Sequence, residues 1–305
     1  MRTKPPFPKH FAKYWQLYAM AAIPLVYFVI FKYVPMAGNI LAFRKFRAGA
    51  SPFGVDWIGM KNFQRFLGDK SFWRAFRNTL ITSSLNLLFN FPVPIIFALL
   101  LNELRRLKFK KLVQTVSYMP RFISTIVMIT MLNEILSPTS GILNMILKNT
   151  FGMKPVYFTN DPRYFRTLYI LTDMWQFTGW NAIIYLAAIT GINSELYESA
   201  MIDGANRWHQ TLYITIPSIL PTIMVMLILS VGRLLSVGFE KVLLLYTPDN
   251  SIVSDVIDTF VYRYGIVNNN YSYATAVGLF GGVIGVILVS SANLVSRRVT
   301  GDGLY

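Results

Sequence analysis

The chain has 305 residues, of which 54% are hydrophobic and 14% charged, and it contains no cysteine. A soluble domain carries about 25% charge, so this composition excludes intrinsic disorder, a disulfide-stapled module and a cysteine-ligated metal site, and it favours a polytopic membrane protein over two soluble domains. The net charge of +15 reads as anchoring against anionic headgroups rather than nucleic-acid binding, because the basic residues sit largely in the gaps between apolar runs.

A helix needs roughly 20 apolar residues to cross the hydrocarbon core. Six stretches qualify: about Trp15–Tyr33, Thr79–Leu101, Leu112–Leu136, Leu168–Ile192, Ile219–Gly238 and Ala274–Leu294. The expected fold is therefore an all-α membrane protein of six transmembrane helices. The expected organisation is a cytoplasmic segment over 1–14, a first helix with a basic extracytoplasmic loop over 15–72, a core transmembrane domain over 73–296 and a cytoplasmic tail over 297–305. Arg2, Lys4, Lys9 and Lys13 lead into the first run. The run is long and no small-residue cleavage site closes it, so it reads as a retained span and not a signal peptide.

The following loop holds Arg44, Lys45, Arg47, Lys61, Arg65, Lys70, Arg74 and Arg77 against Asp56 and Asp69. An interfacial helix around Phe63–Phe76 in contact with lipid is the preferred reading; attraction of an acidic binding-protein surface or a uronate-bearing glycan is the other. Pro92 and Pro94 fall inside the second span and predict a kink. The dense basic run Arg105–Lys111 links two spans through a very short loop, which places it in the cytoplasm. An even number of spans then puts both termini there too. Gly281 and Gly285, beside Gly278 and Gly282, have the spacing that lets helix backbones approach closely.

Charged residues inside spans are functional candidates by default. Glu134 and Glu240 fall near span ends, at headgroup level, and Arg121 is a further case. Asp173 and Arg233 lie deeper, and either pair with each other or line a polar cavity. On the fourth span Asp173, Gln176, Trp180 and Asn181 recur near helical spacing, with Trp175 and Tyr185 adding aromatic faces. Amides and a carboxylate for hydroxyls, with aromatics for ring faces, make a substrate pathway for sugars. An aromatic belt with interhelical hydrogen bonds is the plainer alternative. Asn86, Asn90, Ser230 and Ser236 are secondary candidates.

The chemistry of a self-powered machine is missing. The chain has two histidines, His10 and His209, and lacks a G-x-x-x-x-G-K-[ST] loop, a G-x-S-x-G elbow and a dinucleotide fingerprint. Energy for any transport has to come from an ion gradient or a partner.

Between the fourth and fifth spans runs Asn193-Ser-Glu-Leu-Tyr-Glu-Ser-Ala-Met-Ile-Asp-Gly-Ala-Asn-Arg-Trp-His-Gln-Thr-Leu-Tyr-Ile-Thr-Ile-Pro217. Asn193 or Ser194 can cap a short helix that Gly204 ends in a left-handed turn. A second short helix over about Asn206–Ile216 then leads to Pro217. Glu198-Ser-Ala200, three residues, Gly204, nine residues and Ile214-Thr-Ile216-Pro217 resemble the EAA motif of ABC importer permeases, with Asp203-Gly204-Ala205 in the form seen in carbohydrate importers. Ser199 stands where the motif usually has Ala.

The resemblance extends along the chain. Phe31–Gly38, Trp57–Phe63, Asn78-Thr-Leu80, Ala98–Glu103, Gly179-Trp180 and Ile184–Ala188 are similar to the LplB-like (YteP-like) branch of oligosaccharide permeases. Arg121 departs from it, standing where His is expected after Pro120. The resemblance implies a type I ABC importer permease fold in the bacterial cell membrane. It also implies a heterodimer with a second homologous permease, two cytoplasmic ABC ATPase subunits below it, and an extracytoplasmic binding (lipo)protein that delivers an oligosaccharide. ATP and Mg are then bound by the partners, and this chain is a non-catalytic subunit that binds no cofactor. By the same resemblance Glu198, Ala200, Asp203, Gly204, Arg207 and Pro217 form the coupling loop against the ATPase. The alternatives are an ion-gradient-driven secondary transporter, for which an internal repeat is not evident, and a membrane glycosyltransferase, for which a convergent catalytic cluster is not evident.

Overall fold

The computed structural model describes residues 7–300, with side chains from 13 to 298. Arg2, Lys4, the side chain of Lys9 and the tail beyond Thr300 lie outside the described residues. Among those described, the regular structure is helical apart from an isolated antiparallel bridge between Arg44 and Trp57. The chain divides into two compact units, one of residues 1–68 with 263–279, the other of 69–262 with 280–305.

The first unit opens with α1 (Phe7–Phe28), a π turn over Val29–Tyr33, α2 (Val34–Met36) and a 3-10 turn over Ala37–Phe43. Together Lys13–Phe43 make one helical run long and apolar enough to cross a membrane. Residues 15–37 are exposed at every position, so this run rests on lipid or on another protein. The basic loop after it is built rather than slack. Lys45 N–H donates to Asp56 O and Lys45 O accepts from Val55 N–H, both at 2.9 Å. Phe43 stacks on Trp57 with ring centres 5.7 Å apart. Asn62, on α3 (Lys61–Leu67), donates to Ala42 O at 2.9 Å, and the Arg65 guanidinium lies 4.9 Å from the Tyr273 ring centre.

The second unit holds α4 (Lys70–Asn90), α5 (Pro92–Asn102), α6 (Leu107–Tyr118), a 3-10 turn at Met119–Phe122, α7 (Thr125–Leu136) and α8 (Ile142–Phe151). Next come α9 (Pro162–Thr190), α10 (Ser194–Ile202), α11 (Arg207–Gln210), a π turn at Thr211–Thr215 and α12 (Ile216–Val231). After these lie α13 (Phe239–Leu245), α14 (Ser251–Ser254), α15 (Ile257–Tyr262) and, from Phe280 onward, α16 (Tyr271–Thr300).

Four helical runs are long and apolar enough to span a membrane among the described residues, or five with one bent pair. The differences from the expected spans have local causes. The expected span Leu112–Leu136 is a broken one: α6 with its 3-10 turn and α7 meet at 98°. Pro120 has no N–H for a helical ladder, and Ser124 restarts the helix as a cap, its hydroxyl accepting from Val127 N–H at 3.3 Å. The expected span Ile219–Gly238 ends at Val231, and Gly238 takes φ +72° before α13. At Pro92 the regular ladder is interrupted, yet Phe91 keeps a right-handed helical backbone and Lys70–Asn102 remains one run. The interfacial helix around Phe63–Phe76 is not formed as such. Gly68 ends α3, Asp69 caps α4 by accepting from Ser71 N–H at 2.8 Å, and Phe72 is fully buried against Phe76, Phe260 and Phe280. Among the described residues nothing lies within 4 Å of where a Cβ would stand at the glycines 278, 281, 282 and 285, so their small size serves no close approach there. Gly232 does: a Cβ there would lie 2.8 Å from Val289.

The 29-residue α9 is the axis of the second unit, packed by α4, α5, α6, α12 and α14. Asp161 caps it, and the hydrogen bond from the Arg163 side chain holds the Asp161 carboxyl below the usual carboxylate range. It is long enough to cross a bilayer, at about 1.5 Å per residue, but is not among the apolar runs. One face of the helix is buried in its own chain, while Leu171, Trp175 and Ile184 are exposed on the other. Its N-terminal part joins a core of Phe165, Tyr169 and Ile170 with Met128, Val237, Val242 and Leu245. Its C-terminal part joins a core of Ala182, Tyr185, Leu186 and Ile189 with Ala98, Leu101 and Ile219. Gly179 permits the crossing with α6, because a Cβ there would stand 2.1 Å from Ser117 O.

Candidate functional site

Between those two apolar cores α9 turns polar, and there a cavity of about 700 Å³ opens. That is within the usual range for a ligand pocket, roughly 300–1,000 Å³. Asp173, Gln176, Trp180 and Asn181 of α9 all line it, as do Asn86 and Asn90 of α4, Arg121 beside the α6–α7 bend, and Ser230, Arg233 and Ser236 around the end of α12. Glu240 and Lys241 of α13 complete its charged wall.

Asp173 and Arg233 share the cavity but are not an ion pair. The partner of Asp173 is Lys241, whose Nζ donates to Asp173 Oδ1 at 2.6 Å and to Tyr169 O at 2.8 Å. Lys241 also sits 4.3 Å from the Tyr169 ring centre. The other Asp173 oxygen accepts from Asn86 Nδ2 at 3.0 Å, and Asn90 Nδ2 donates to Asn86 Oδ1 and to Ile170 O. A buried ion pair of this kind needs its remaining lone pairs and protons satisfied, and three helices contribute to that here. Sequence reasoning missed Lys241. Its signal was present: one cation in the apolar run Phe239-Glu-Lys-Val-Leu-Leu-Leu245.

Gln176 is buried and donates from Nε2 to Ile123 O at 2.9 Å, which gives the carbonyl freed by the α6–α7 bend a partner. Trp180 stays partly exposed and meets Phe122 edge-to-face at 5.8 Å. Two buried oxygens on the wall, Asn90 Oδ1 and Thr178 Oγ1, take no hydrogen bond from the protein. Glu134 does not line the cavity.

A second site lies at the end of the unit where α9 finishes. Asn193 caps α10 by accepting from Glu195 N–H at 3.1 Å. The helix ends at Asp203, and Gly204 takes φ +80° with nothing within 4 Å of a built Cβ. That conformation suits glycine, and Ala205 N–H closes the turn on Ala200 O at 2.8 Å. Gln210 Nε2 donates to Ala205 O at 3.1 Å, and the Tyr197 and Thr215 hydroxyls lie 2.9 Å apart. The second short helix is not separate: Arg207–Val231 is one helical run. Pro217 sits in the first turn of α12, and having no N–H for Tyr213 it follows a turn widened to the π form. Arg207 pairs with Glu103 at 2.7 Å, tying this corner to the loop before α6. Glu198 and Asp203 are exposed, and so are the apolar Met201, Ile202, Trp208 and Tyr213.

Residues 74–301 match the family of binding-protein-dependent transport system inner membrane components. The chain belongs to this family. It is 42% identical to the Bacillus subtilis polygalacturonan/rhamnogalacturonan transport system permease protein YteP, over 95% of this chain and 90% of that protein. It is 39% identical to the B. subtilis protein LplB over 95% of this chain and 91% of LplB. Its fold matches a chain of a bacterial ABC transporter that imports the acidic polysaccharide alginate, with a TM-score of 0.88, 42% identity and coverage of 96% and 98%. A second match, at TM-score 0.89 and 41% identity over 98% of this chain and 99% of the other, is an alginate ABC transporter in complex with an alginate pentasaccharide-bound periplasmic protein. The protein is thus a sugar ABC importer permease of the bacterial cell membrane with the type I permease fold, and its class works with a second permease, ATPase subunits and a binding protein. The readings as an ion-driven transporter or a glycosyltransferase fall away.

Proposed function

We propose that this chain crosses the membrane six times with both termini in the cytoplasm. The four apolar runs, the bent α6–α7 pair and the central α9 supply the six crossings. In this reading α9 carries the cargo route in its polar middle and the coupling loop at its cytoplasmic end. An oligosaccharide released by the binding protein passes through the cavity, where the unfilled acceptors Asn90 Oδ1 and Thr178 Oγ1 suit sugar hydroxyls and the Trp180 face suits a sugar ring. Asp173, Gln176, Trp180, Asn181 and Arg233 form its wall, with Gln176 also holding the bend.

The observation that carries the coupling role is the corner at Gly204: a left-handed turn, open above, flanked by exposed Met201 and Ile202. Glu198, Ala200, Asp203, Gly204, Arg207 and Pro217 present that corner to the ATPase partner. The nucleotide and its Mg lie in that partner, and this chain binds no cofactor.

The chain has no cysteine, so Ile202→Cys in the otherwise native protein reports the contact by crosslinking to a cysteine placed in the ATPase cleft. Gly204→Asp is expected to abolish ATP-driven uptake while the chain stays in the membrane, because nothing of its own fold occupies that space. Unchanged uptake in that variant, or a crosslink from the opposite side of the membrane, removes the coupling assignment.

A further inference from the structure

We infer that the cavity is selective for carboxylate-bearing sugars, with Arg121 and Arg233 as the groups that receive the uronate carboxylate. The inference rests on the reading that this cavity is the cargo route, and adds the charge class of the cargo and the residues that recognise it.

The charged groups on the wall are Arg121, Asp173, Arg233, Glu240 and Lys241. Lys241 and Asp173 neutralise one another at 2.6 Å. Neither Arg121 nor Arg233 pairs with a carboxylate among the described residues, and Glu240 makes no ion pair there either. The wall therefore carries one positive charge in excess, with two unpaired guanidinium groups. Arg121 is held in place without being neutralised: its guanidinium lies 5.0 Å from the Phe177 ring centre, and Phe177 also lines the cavity. It stands in the short 3-10 turn before the α6–α7 bend, whereas Arg233 stands in the turn that ends α12. Both are thus on helix breaks, where side chains reach the lumen without distorting a ladder.

Both arginines are exposed, so their guanidinium groups are open to whatever enters the cavity. A guanidinium fork matches a carboxylate through two parallel charge-assisted bonds, and a neutral sugar offers only hydroxyls. A cargo with one carboxylate per ring would present a new partner to these two groups at each step of passage, while the internally paired Lys241 stays out of the exchange. The relatives' names agree in chemistry, since polygalacturonan and alginate are both acidic polysaccharides.

The test uses the whole importer, with its permease partner, ATPases and binding protein, reconstituted in liposomes. ATP-driven uptake is measured for tetragalacturonate, tetramannuronate and neutral maltotetraose. The wild type is expected to take up a uronate tetramer. Arg121→Gln and Arg233→Gln should each lower that uptake at least about tenfold, the loss of a charged hydrogen bond being worth at least that factor. The double variant should lower it further, and Arg121→Lys with Arg233→Lys should restore part of it. Recovery of the intact complex on size exclusion separates this from a folding defect; if the double variant does not assemble, the single variants carry the test. Undiminished uronate uptake in assembled variants overturns the inference. Uptake of maltotetraose without either uronate also overturns it and leaves the permease reading standing. Absence of ATP-driven uptake of any sugar overturns the permease reading as well.

Discussion

The middle of α9 and the corner that follows α10 are both irregular in character, one a polar stretch inside a bundle, the other an apolar patch on its outside. Their irregularities are resolved in opposite ways. Around Asp173 the chain answers its own polarity: Lys241, Asn86, Asn90 and Gln176 each find a partner on another element. Around Gly204 the backbone is closed by its own bonds, but Met201, Ile202 and Trp208 stay uncovered. The ion pair at Asp173 is satisfied from within, whereas Asn90 Oδ1 and Thr178 Oγ1 on the same wall are left open. Exposed apolar surface on a rigid turn marks a place where another protein completes the structure. Substitutions in the first region should therefore register on stability, and substitutions in the second on assembly and transport.

The largest stability effect is expected for Asp173→Ala. It leaves the Lys241 ammonium buried with only Tyr169 O and the aromatic face, and removal of one member of a buried pair costs roughly 3–5 kcal/mol. Thermal unfolding of the purified protein in detergent measures it. Asp173→Leu together with Lys241→Met should recover most of the loss; if the double variant is as unstable as the single, the pair is not the source. Next comes Gly179→Ala. A methyl group 2.1 Å from Ser117 O forces α6 and α9 apart, and overpacking of this kind costs about 1–3 kcal/mol. A melting temperature equal to wild type would mean that the α6–α9 crossing is looser than described. Gln176→Ala is smaller, at about 1 kcal/mol for the unanswered Ile123 carbonyl. It should also soften the α6–α7 bend, read as faster hydrogen exchange over 119–126.

The two regions were unequally legible in the sequence. The Gly204 corner was readable almost residue by residue because its backbone is local: Asn193 as a cap, Gly204 as a left-handed stop and Pro217 in a first helical turn depend on near neighbours alone. Its one misreading, a separate second helix before Pro217, also has a local cause, since proline in a first turn continues a helix instead of ending it. The cavity was readable as a face of one helix but not as a set of partners. Asp173 and Arg233 read from the sequence as a pair or as the lining of a polar cavity; both line it, but the partner of Asp173 is Lys241, which α13 brings from 68 positions away, and no spacing rule reaches that far. The bend at Met119–Ser124 was hidden because Leu112–Leu136 is apolar enough on average to read as one span, and hydropathy does not register a break that Pro120 and Ser124 make. The glycines of α16 show the converse: the spacing is right for close packing, yet none of the described residues packs there.

Ile202→Ser sharpens the contrast most, because its expected effect on stability is the smallest. Ile202 is 86% exposed at the end of α10, and a surface change away from caps and cavities usually stays within about 0.5 kcal/mol. The variant should therefore melt with the wild type. If the corner is where the motor docks, a central apolar contact of that interface is lost, so capture of the ATPase by the tagged permease should weaken and uptake should fall with it. Capture and uptake both equal to wild type would make the apolar corner an ordinary exposed surface, and the inequality between the two regions would then reflect lipid and water alone. A lowered melting temperature would show instead that Ile202 is covered within this chain, and the corner would join the cavity as a region whose contacts are its own.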